Sequence, residues 1–228
     1  MSADFGIKGF LETSFLDWPG RLAAVVFLGG CNFRCPFCHN AELVLEPRLL
    51  PSIPLDTVLE RLRGLRGWVD GIVVSGGEPT FSPRLPELLG RFRAAGFDVK
   101  LDTNGSRPEI LESLLMDRLV QAIDMDLKAP LEPALYASLA GVPVRLESIR
   151  ASIELIRLSG LPHRFRTTYV PGLLDHAAIA RLRGALPVGS PYVPQGFDPR
   201  RVLDPALQSV VAPTEEELSL LLSAAANA

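Results

Sequence analysis

The sequence predicts an α/β fold in which parallel strands alternate with helices. Short apolar runs recur along the chain and end at glycine or polar residues, as buried strands do. Between these runs, apolar residues recur at helical spacing. Strands and helices that alternate in this way form parallel sheets through right-handed crossovers. Six such units predict an incomplete, TIM-like (βα)6 barrel, and an open doubly wound sheet is the alternative.

The predicted strands share an apolar stretch that is followed by a turn-forming residue. They cover residues 22–28, 71–75, 97–102, 122–127, 164–170 and, as a weaker sixth strand, 191–194. Apolar residues at helical spacing predict helices over 55–65, 85–92, 110–119 and 146–158. Ser82 is the predicted N-terminal cap of the second of these helices, and Asp175 is the predicted cap of a further helix that ends near Leu186.

The chain changes character near residue 197. Residues 198–213 are rich in proline and arginine, and Thr214 with Glu217 predicts a capping box at the start of a short terminal helix. We therefore expect a partial barrel domain over residues 1–197. A C-terminal loop and helix over residues 198–228 follow it.

Composition narrows the class of protein. Of the 228 residues, 47% are apolar and 21% are charged, and the formal net charge is −3. This balance gives no reason to expect nucleic-acid or membrane-surface binding. No apolar run approaches the ~20 residues that span a bilayer, and residues 1–4 lack the basic start of a secretory signal. We therefore expect a cytoplasmic protein.

All three cysteines of the chain lie in one loop after the first predicted strand. Cys31, Cys35 and Cys38 have the spacing C-x3-C-x2-C. Thiolate is the preferred soft ligand of iron–sulfur clusters and of zinc, and three cysteines would leave one iron of a cubane cluster open to another ligand. Zinc, the alternative, would need His39 as its fourth ligand. Because His39 directly follows Cys38, the two rarely converge on one tetrahedral ion.

Polar and glycine residues follow the other predicted strands. In a parallel barrel the chemistry lies at these carboxyl ends. Gly76 and Gly77 let the backbone approach a ligand, and Glu78 with nearby carbonyl groups could accept hydrogen bonds from an amino group. A tight turn with an exposed Glu78 is the alternative. Residues 102–105 (DTNG) suit a ligand site or a plain turn.

Charged residues alternate along two of the later strands. Asp124, Asp126 and Lys128 share one face, and they would be costly in a buried strand without partners. A polar barrel mouth that holds a zwitterionic ligand would provide such partners. Arg166 could clamp a carboxylate through two hydrogen bonds, and an outward salt bridge is the alternative. Three carboxylates, on Asp102, Asp124 and Asp126, also raise the prospect of a cation beside the ligand.

The cysteine loop carries a family resemblance. Residues 31–40 (CNFRCPFCHN) resemble the signature of the radical S-adenosylmethionine superfamily. The resemblance implies that Cys31, Cys35 and Cys38 hold a [4Fe-4S] cluster. It also implies that the open iron binds the amino and carboxylate groups of S-adenosyl-L-methionine, and that Phe37 packs near the adenine.

Further segments narrow the resemblance. Residues 10–20 (FLETSFLDWPG), 75–79 (SGGEP), 101–105 (LDTNG) and 126–128 (DLK) together resemble activating enzymes of glycyl-radical enzymes. The nearest likeness is to the anaerobic ribonucleoside-triphosphate reductase activating proteins. The resemblance implies that the segment with Gly76, Gly77 and Glu78 contacts the methionine amino group. It further implies that Asp102, Asn104, Asp126 and Lys128 hold the ribose and the methionine carboxylate.

The implied reaction is radical oxidoreductase chemistry. A low-potential donor such as flavodoxin or ferredoxin reduces the cluster, S-adenosylmethionine is cleaved, and the resulting radical abstracts hydrogen from a glycine of a partner, for which anaerobic ribonucleotide reductase is the expectation. The resemblance supplies no catalytic residue beyond the ligands of the cluster and cofactor. Two alternatives are a radical enzyme that acts on a small molecule, such as a 7-carboxy-7-deazaguanine synthase, and a zinc-binding module.

Overall fold

The computed structural model describes residues 4–224 and contains seven strands and eight α-helices in that range. The strands are β1 (Ile7–Ser14), β2 (Ala23–Leu28), β3 (Gly71–Gly76), β4 (Asp98–Thr103), β5 (Ala122–Asp126), β6 (His163–Tyr169) and β7 (Tyr192–Gly196). The helices are α1 (Ala41–Leu45), α2 (Leu55–Gly64), α3 (Leu85–Ala94), α4 (Pro108–Met116), α5 (Pro133–Ala140), α6 (Leu146–Ser159), α7 (His176–Gly184) and α8 (Glu215–Ala224).

The sheet follows chain order. Its seven strands are arranged β1-β2-β3-β4-β5-β6-β7, and it is not closed. β1 runs antiparallel to β2, whereas β3 pairs in parallel with both β2 and β4, and β7 pairs in parallel with β6. The six predicted strands and the predicted parallel α/β class are therefore confirmed. A doubly wound sheet reverses its strand order at a switch point, so that alternative is wrong.

The chain divides into two compact units. The first comprises residues 1–32, 42–103 and 109–123, and the second comprises residues 33–41, 104–108 and 124–228. Residues 198–224 thus belong to the second unit. The predicted domain division at residue 197 stays a prediction.

The first unit has its core at β2 and β3. Every residue of β2 except Phe27 is at most 1% exposed. Trp18, from the turn between β1 and β2, packs with Val25 and Val73 in this core. A Cβ atom at Gly71 would lie 2.7 Å from the Trp18 ring and 2.9 Å from the backbone oxygen of Asp98. Glycine is therefore needed at the start of β3.

Two of the three predicted helix caps are confirmed. The Asp175 carboxylate accepts a hydrogen bond of 2.6 Å from the Ala178 N–H at the start of α7. At α8, the Thr214 N–H donates to Glu217 Oε2 at 2.7 Å and the Glu217 N–H donates to Thr214 Oγ1 at 3.1 Å, which forms the predicted box.

The predicted cap at Ser82 is wrong. α3 begins at Leu85, after Arg84, and no side chain caps it. Ser82 instead ends a short 3-10 turn, Pro79–Phe81, where its N–H donates to the Pro79 carbonyl at 2.9 Å. The proline-rich approach to the helix therefore delays its start beyond the reach of the serine side chain.

Replacing Asp175 by alanine is expected to lower the free energy of unfolding by about 1 kcal/mol, because one N–H of α7 loses its acceptor. Asp175→Asn should retain most of the stability, since asparagine caps helices equally well. Urea unfolding of the metal-free protein measures both changes. An alanine variant as stable as the parent would show that this cap contributes nothing.

No helix within residues 4–224 is long and apolar enough to cross a membrane.

Candidate functional site

The carboxyl ends of β2 and β3 meet through their glycines. The Glu78 N–H donates to the Gly30 carbonyl at 2.8 Å, and the Gly77 N–H donates to the Leu28 carbonyl at 2.9 Å. A Cβ atom at Gly77 would lie 2.0 Å from the Gly30 oxygen and 3.4 Å from the Cys31 Cβ. The structure thus brings the first predicted cysteine next to the predicted glycine turn, and only glycine fits there.

Gly76 has a similar requirement. Its φ of +117° lies in a region that favours glycine, and a Cβ atom there would lie 2.4 Å from backbone atoms of Leu28. Both predicted glycines therefore have a structural reason to be glycine. Their contact with a cofactor stays a prediction.

Glu78 lies inside the protein. Its side chain is 2% exposed, so the alternative of an exposed Glu78 is wrong. Its Oε1 accepts hydrogen bonds from the Thr80 N–H at 3.0 Å, the Thr80 hydroxyl at 2.6 Å and the Thr103 hydroxyl at 2.7 Å. Glu78 therefore ties the turn after β3 to the end of β4. The predicted contact of its carboxylate with an amino group stays a prediction.

β4 holds a buried ion pair that the sequence analysis recognised only in part. Lys100 is 1% exposed and forms a salt bridge with the predicted Asp102, which is 7% exposed. Lys100 was missed, although a lysine two residues before Asp102 on an apolar strand must share its face. A buried lysine needs a partner, and that requirement was the available signal.

Asn104 directly follows β4 and is the first residue of the segment 104–108, which belongs to the second unit. It is 5% exposed, and its Oδ1 accepts a hydrogen bond of 2.9 Å from the Ser106 N–H. The turn is held further by Ser152, whose hydroxyl donates to the Gly105 carbonyl at 2.7 Å. The segment therefore forms a turn, and the ligand role of Asn104 stays a prediction.

The second and third cysteines lie in the second unit. The Cys38 N–H donates to the Cys35 carbonyl at 3.0 Å. Burial raises the pKa of both thiols, and the Lys128 ammonium partly opposes that rise. The neighbouring Phe37 is 4% exposed. The raised pKa favours the protonated thiols, and a metal would displace these protons because it binds the thiolate form.

The cysteine loop is anchored by distant parts of the second unit. The Arg34 N–H donates to the Ala140 carbonyl at the end of α5 at 2.8 Å, and the Asp204 N–H donates to the Pro36 carbonyl at 2.8 Å. A Cβ atom at Gly141 would lie 2.0 Å from the Arg34 oxygen, and the φ of Gly141 is +68°. The loop is thus fixed by main-chain contacts that need no metal.

His39 does not have the arrangement that a zinc ligand needs. Its Nε2 accepts a hydrogen bond of 3.1 Å from the Asp198 N–H. Burial lowers the pKa of His39, which favours the neutral ring that such an acceptor requires. This hydrogen bond weakens the zinc alternative, because His39, the only proposed fourth zinc ligand, already uses its Nε2 to accept the Asp198 N–H.

A charged network occupies the ends of β5 and β6. Arg166 Nε lies 2.8 Å from Asp126 Oδ1, and Lys128 Nζ lies 3.5 Å from Asp126 Oδ2. Burial alone would raise the pKa of Asp126, but Arg166 and Lys128 outweigh it and lower the pKa to about 2. Asp126 retains 33% exposure and Lys128 retains 15%. The predicted pair thus comes together where solvent can reach it.

The inner part of this network is structural. Asp124, whose side chain is 3% exposed, pairs with Arg164 and, at 3.2 Å, with Arg166 Nη1. Arg166 thus bridges two carboxylates of its own chain, with Nη1 toward Asp124 and Nε toward Asp126, rather than clamping a single carboxylate as predicted. The role of Arg166 toward a cofactor stays a prediction.

The predicted cation gains no support. Asp102 pairs with Lys100, and Asp124 and Asp126 pair with basic side chains. Among residues 4–224, no group of three or more His, Cys, Asp or Glu side chains could hold one metal ion. A cubane cluster does not require its ligands to converge on one ion, since each cysteine binds a different iron atom.

Tyr136 on α5 is a second residue that the sequence analysis missed. Its side chain is 0% exposed, and among the residues that the structure describes its hydroxyl proton has no acceptor. Cys35, Asp126 and Lys128 all act electrostatically on it. No sequence signal marked it, because a tyrosine in a short apolar helix is ordinarily core.

An open cleft lies in the second unit at the carboxyl end of β6. Its volume is about 670 Å³, and its lining includes Tyr169, His176, Arg181 and the turn at residues 171–174. The Tyr169 and His176 rings have centroids 6.0 Å apart. The cleft thus combines aromatic and polar groups.

Comparisons with known proteins agree with one another. The family model of the radical SAM superfamily matches residues 25–182. A Methanocaldococcus jannaschii protein named as a glycyl-radical enzyme activating enzyme is 30% identical over 217 residues, which span 93% of this chain and 88% of that protein. A 7-carboxy-7-deazaguanine synthase of Methanopyrus kandleri is 33% identical over 131 residues, 49% of this chain and 51% of the synthase.

A solved structure supports the fold. The crystal structure of a radical SAM methyltransferase from Sphaerobacter thermophilus matches with a TM-score of 0.65 and 17% identity, over 92% of this chain and 64% of that chain. At that identity the match concerns the fold alone, and it agrees with the predicted partial barrel.

Proposed function

Because this chain belongs to the radical SAM superfamily and is therefore an enzyme, we propose that it activates a glycyl-radical enzyme. It uses S-adenosylmethionine and a [4Fe-4S] cluster to place a radical on a glycine of its partner. The observation that carries this proposal is the match to an activating enzyme over 93% of this chain and 88% of that relative. We propose anaerobic ribonucleoside-triphosphate reductase as the partner, and flavodoxin or ferredoxin as the electron donor.

The cysteines fit an iron–sulfur cluster. Cys31, Cys35 and Cys38 would hold it, and the buried Cys35 and half-buried Cys38 lie in a loop that is fixed by contacts elsewhere in the protein. Lys128 would stabilise the negative charge that these cysteines acquire as ligands. When bound, the cluster and S-adenosylmethionine supply one-electron chemistry that no side chain of this protein can perform.

The charged network fits a zwitterionic cofactor. Lys128 can bind a carboxylate, and the solvent-facing Asp126 can accept hydrogen bonds from hydroxyl groups. Because Arg166 and Lys128 keep Asp126 ionised, it acts as an acceptor at any pH near neutrality. These side chains bind and orient a ligand, and the proposal assigns no proton transfer to them.

A polypeptide substrate is supported by the cleft at the carboxyl end of β6. Active sites of parallel barrels are built at this end of the strands, and the cleft there is open, whereas a small substrate usually lies in a pocket that buries most of its surface. The competing proposal, a small-molecule enzyme, draws on the similarity to a 7-carboxy-7-deazaguanine synthase. That similarity covers only about half of each protein.

Mixing the iron- and sulfide-reconstituted, reduced protein with S-adenosylmethionine and an anaerobic ribonucleotide reductase is expected to yield a glycine-centred radical. Electron paramagnetic resonance would show it as a doublet. Replacing the acceptor glycine of the reductase by alanine should abolish the doublet while uncoupled formation of 5′-deoxyadenosine persists.

The opposite result would contradict the proposed activation of a glycyl-radical enzyme. If no glycyl-radical enzyme gives the doublet, and a purine-like small molecule instead stimulates 5′-deoxyadenosine formation, the small-molecule alternative is correct. A doublet with another glycyl-radical enzyme, but not with the reductase, would keep the activity and change only the partner.

A further inference from the structure

The Tyr136 hydroxyl is a buried donor without an acceptor. Its side chain is 0% exposed, and within residues 4–224 the hydroxyl proton has no acceptor, while the Lys128 backbone acts on the hydroxyl oxygen. Folded proteins leave few buried polar groups unpaired, because each such group loses its bonds to water. A ligand bound from outside the chain could supply the hydrogen-bond acceptor that this hydroxyl lacks.

The position of Tyr136 shows where that partner would be. Tyr136 precedes Ala140 by one helical turn on α5, and the Ala140 carbonyl accepts the Arg34 N–H of the cysteine loop at 2.8 Å. Gly141 then packs directly against the Arg34 backbone. α5 is thus joined to the loop that carries Cys35.

The charges around Tyr136 are those of the candidate site. Lys128, Cys35 and Asp126 all influence its ionisation, and burial raises the pKa of the phenol well above its ordinary value. The hydroxyl is therefore protonated at neutral pH and is available as a donor. A cysteine that ligates a metal is a thiolate, which accepts a hydrogen bond more strongly than a thiol does.

We propose that Tyr136 is a positioning residue whose hydroxyl donates a hydrogen bond to an anionic group of the loaded site. That group is either the Cys35 thiolate, once it ligates the cluster, or the carboxylate of bound S-adenosylmethionine. The inference needs the cofactors of the proposed function but not its partner protein. The two acceptors share one chemistry and are separated by experiment.

The test is Tyr136→Phe, which removes only the hydroxyl. Metal-free Tyr136→Phe should unfold at the same temperature as the parent or higher, because the lost hydroxyl proton had no acceptor. If the acceptor is the thiolate, the reconstituted variant should have a lower cluster reduction potential in a redox titration, because hydrogen bonds to ligand sulfur stabilise the reduced state. If the acceptor is the carboxylate, the potential should be unchanged. The affinity for S-adenosylmethionine should then fall about tenfold or more.

Tyr192→Phe is the matched control. The Tyr192 hydroxyl is also buried, and it lies beside the Thr167 side chain rather than beside the charged groups of the candidate site. Tyr192 begins β7 and pairs with Phe165, so it lies at the opposite end of its strand from the carboxyl end. The Tyr192→Phe variant should change neither the cluster reduction potential nor the affinity for S-adenosylmethionine.

Three outcomes would overturn the inference. The first is a Tyr136→Phe variant with both properties unchanged. The second is a clear loss of stability in the metal-free variant, and the third is an equal shift in the Tyr192 control. None of these measurements uses the glycyl-radical partner, so failure here is distinguishable from failure of the proposed function.

Discussion

Replacing Cys35 by alanine is expected to abolish both cluster binding and cleavage of S-adenosylmethionine. A cubane cluster needs thiolate ligands, and the chain has no cysteine besides Cys31, Cys35 and Cys38 to substitute. After anaerobic reconstitution, the variant should lack the visible absorbance of thiolate-bound iron and should form no 5′-deoxyadenosine. Metal analysis of the parent should find iron with sulfide, whereas a zinc module would contain zinc alone.

The fold of the same variant should persist. The Cys35 carbonyl accepts the Cys38 N–H, a main-chain bond that alanine keeps, and the loop has anchors elsewhere. Circular dichroism of the metal-free variant should match the parent. A Cys35→Ala protein that still cleaved the cofactor at the parental rate would refute the ligand assignment.

Lys128→Ala is expected to leave the cluster in place but to weaken S-adenosylmethionine binding about ten- to a hundredfold. The loss corresponds to one hydrogen bond to a charged group, roughly 1.5–3 kcal/mol. Equilibrium binding to the reconstituted protein measures it. Asp126 has a pKa of about 2 and the pKa of Lys128 is raised above its ordinary value. The pair therefore stays ionised, and the effect should be constant between about pH 6 and pH 9.

Arg157→Ala provides the control for Lys128. Arg157 forms an exposed pair with Glu154 on α6, and such pairs contribute little. Its removal should change neither cluster content nor affinity. Unchanged affinity in Lys128→Ala would show that the end of β5 binds something other than the cofactor.

The sheet could be predicted because its strands are buried on both faces. β2 and β3 are continuous apolar runs, and such runs stand out in a sequence. β1 was missed for the opposite reason. It pairs only with β2, and its residues Gly9 to Glu12 are only partly buried or exposed. Strands with an open side carry a weak apolar signal.

Short helices escaped prediction on similar grounds. α1 has only five residues, and α5 is made largely of small apolar residues without a polar face. Their bounds depend on tertiary contacts. The end of α5, for example, depends on Gly141 and its contact with the Arg34 backbone. A glycine that ends a helix is a local signal, but the packing of Gly141 against Arg34 is not visible in the sequence around it.

The candidate site was predictable where chemistry is tied to residue type. Cysteine spacing and charged residues at strand ends named Cys35, Asp126 and Lys128 correctly as neighbours in the second unit. What the sequence could not tell was which charges satisfy each other. Glu78 binds Thr80 and Thr103, and pairings of this kind depend on backbone geometry.

The anchoring of the cysteine loop affects the stability of the protein before it acquires iron. Main-chain bonds hold Arg34 to α5 and Pro36 to Asp204, and the His39 ring accepts the Asp198 N–H. Small zinc domains, in contrast, fold only when their metal binds. Here the apoprotein should stay folded during iron starvation or after oxygen destroys the cluster. Repair would then require insertion of a new cluster but no refolding of the chain.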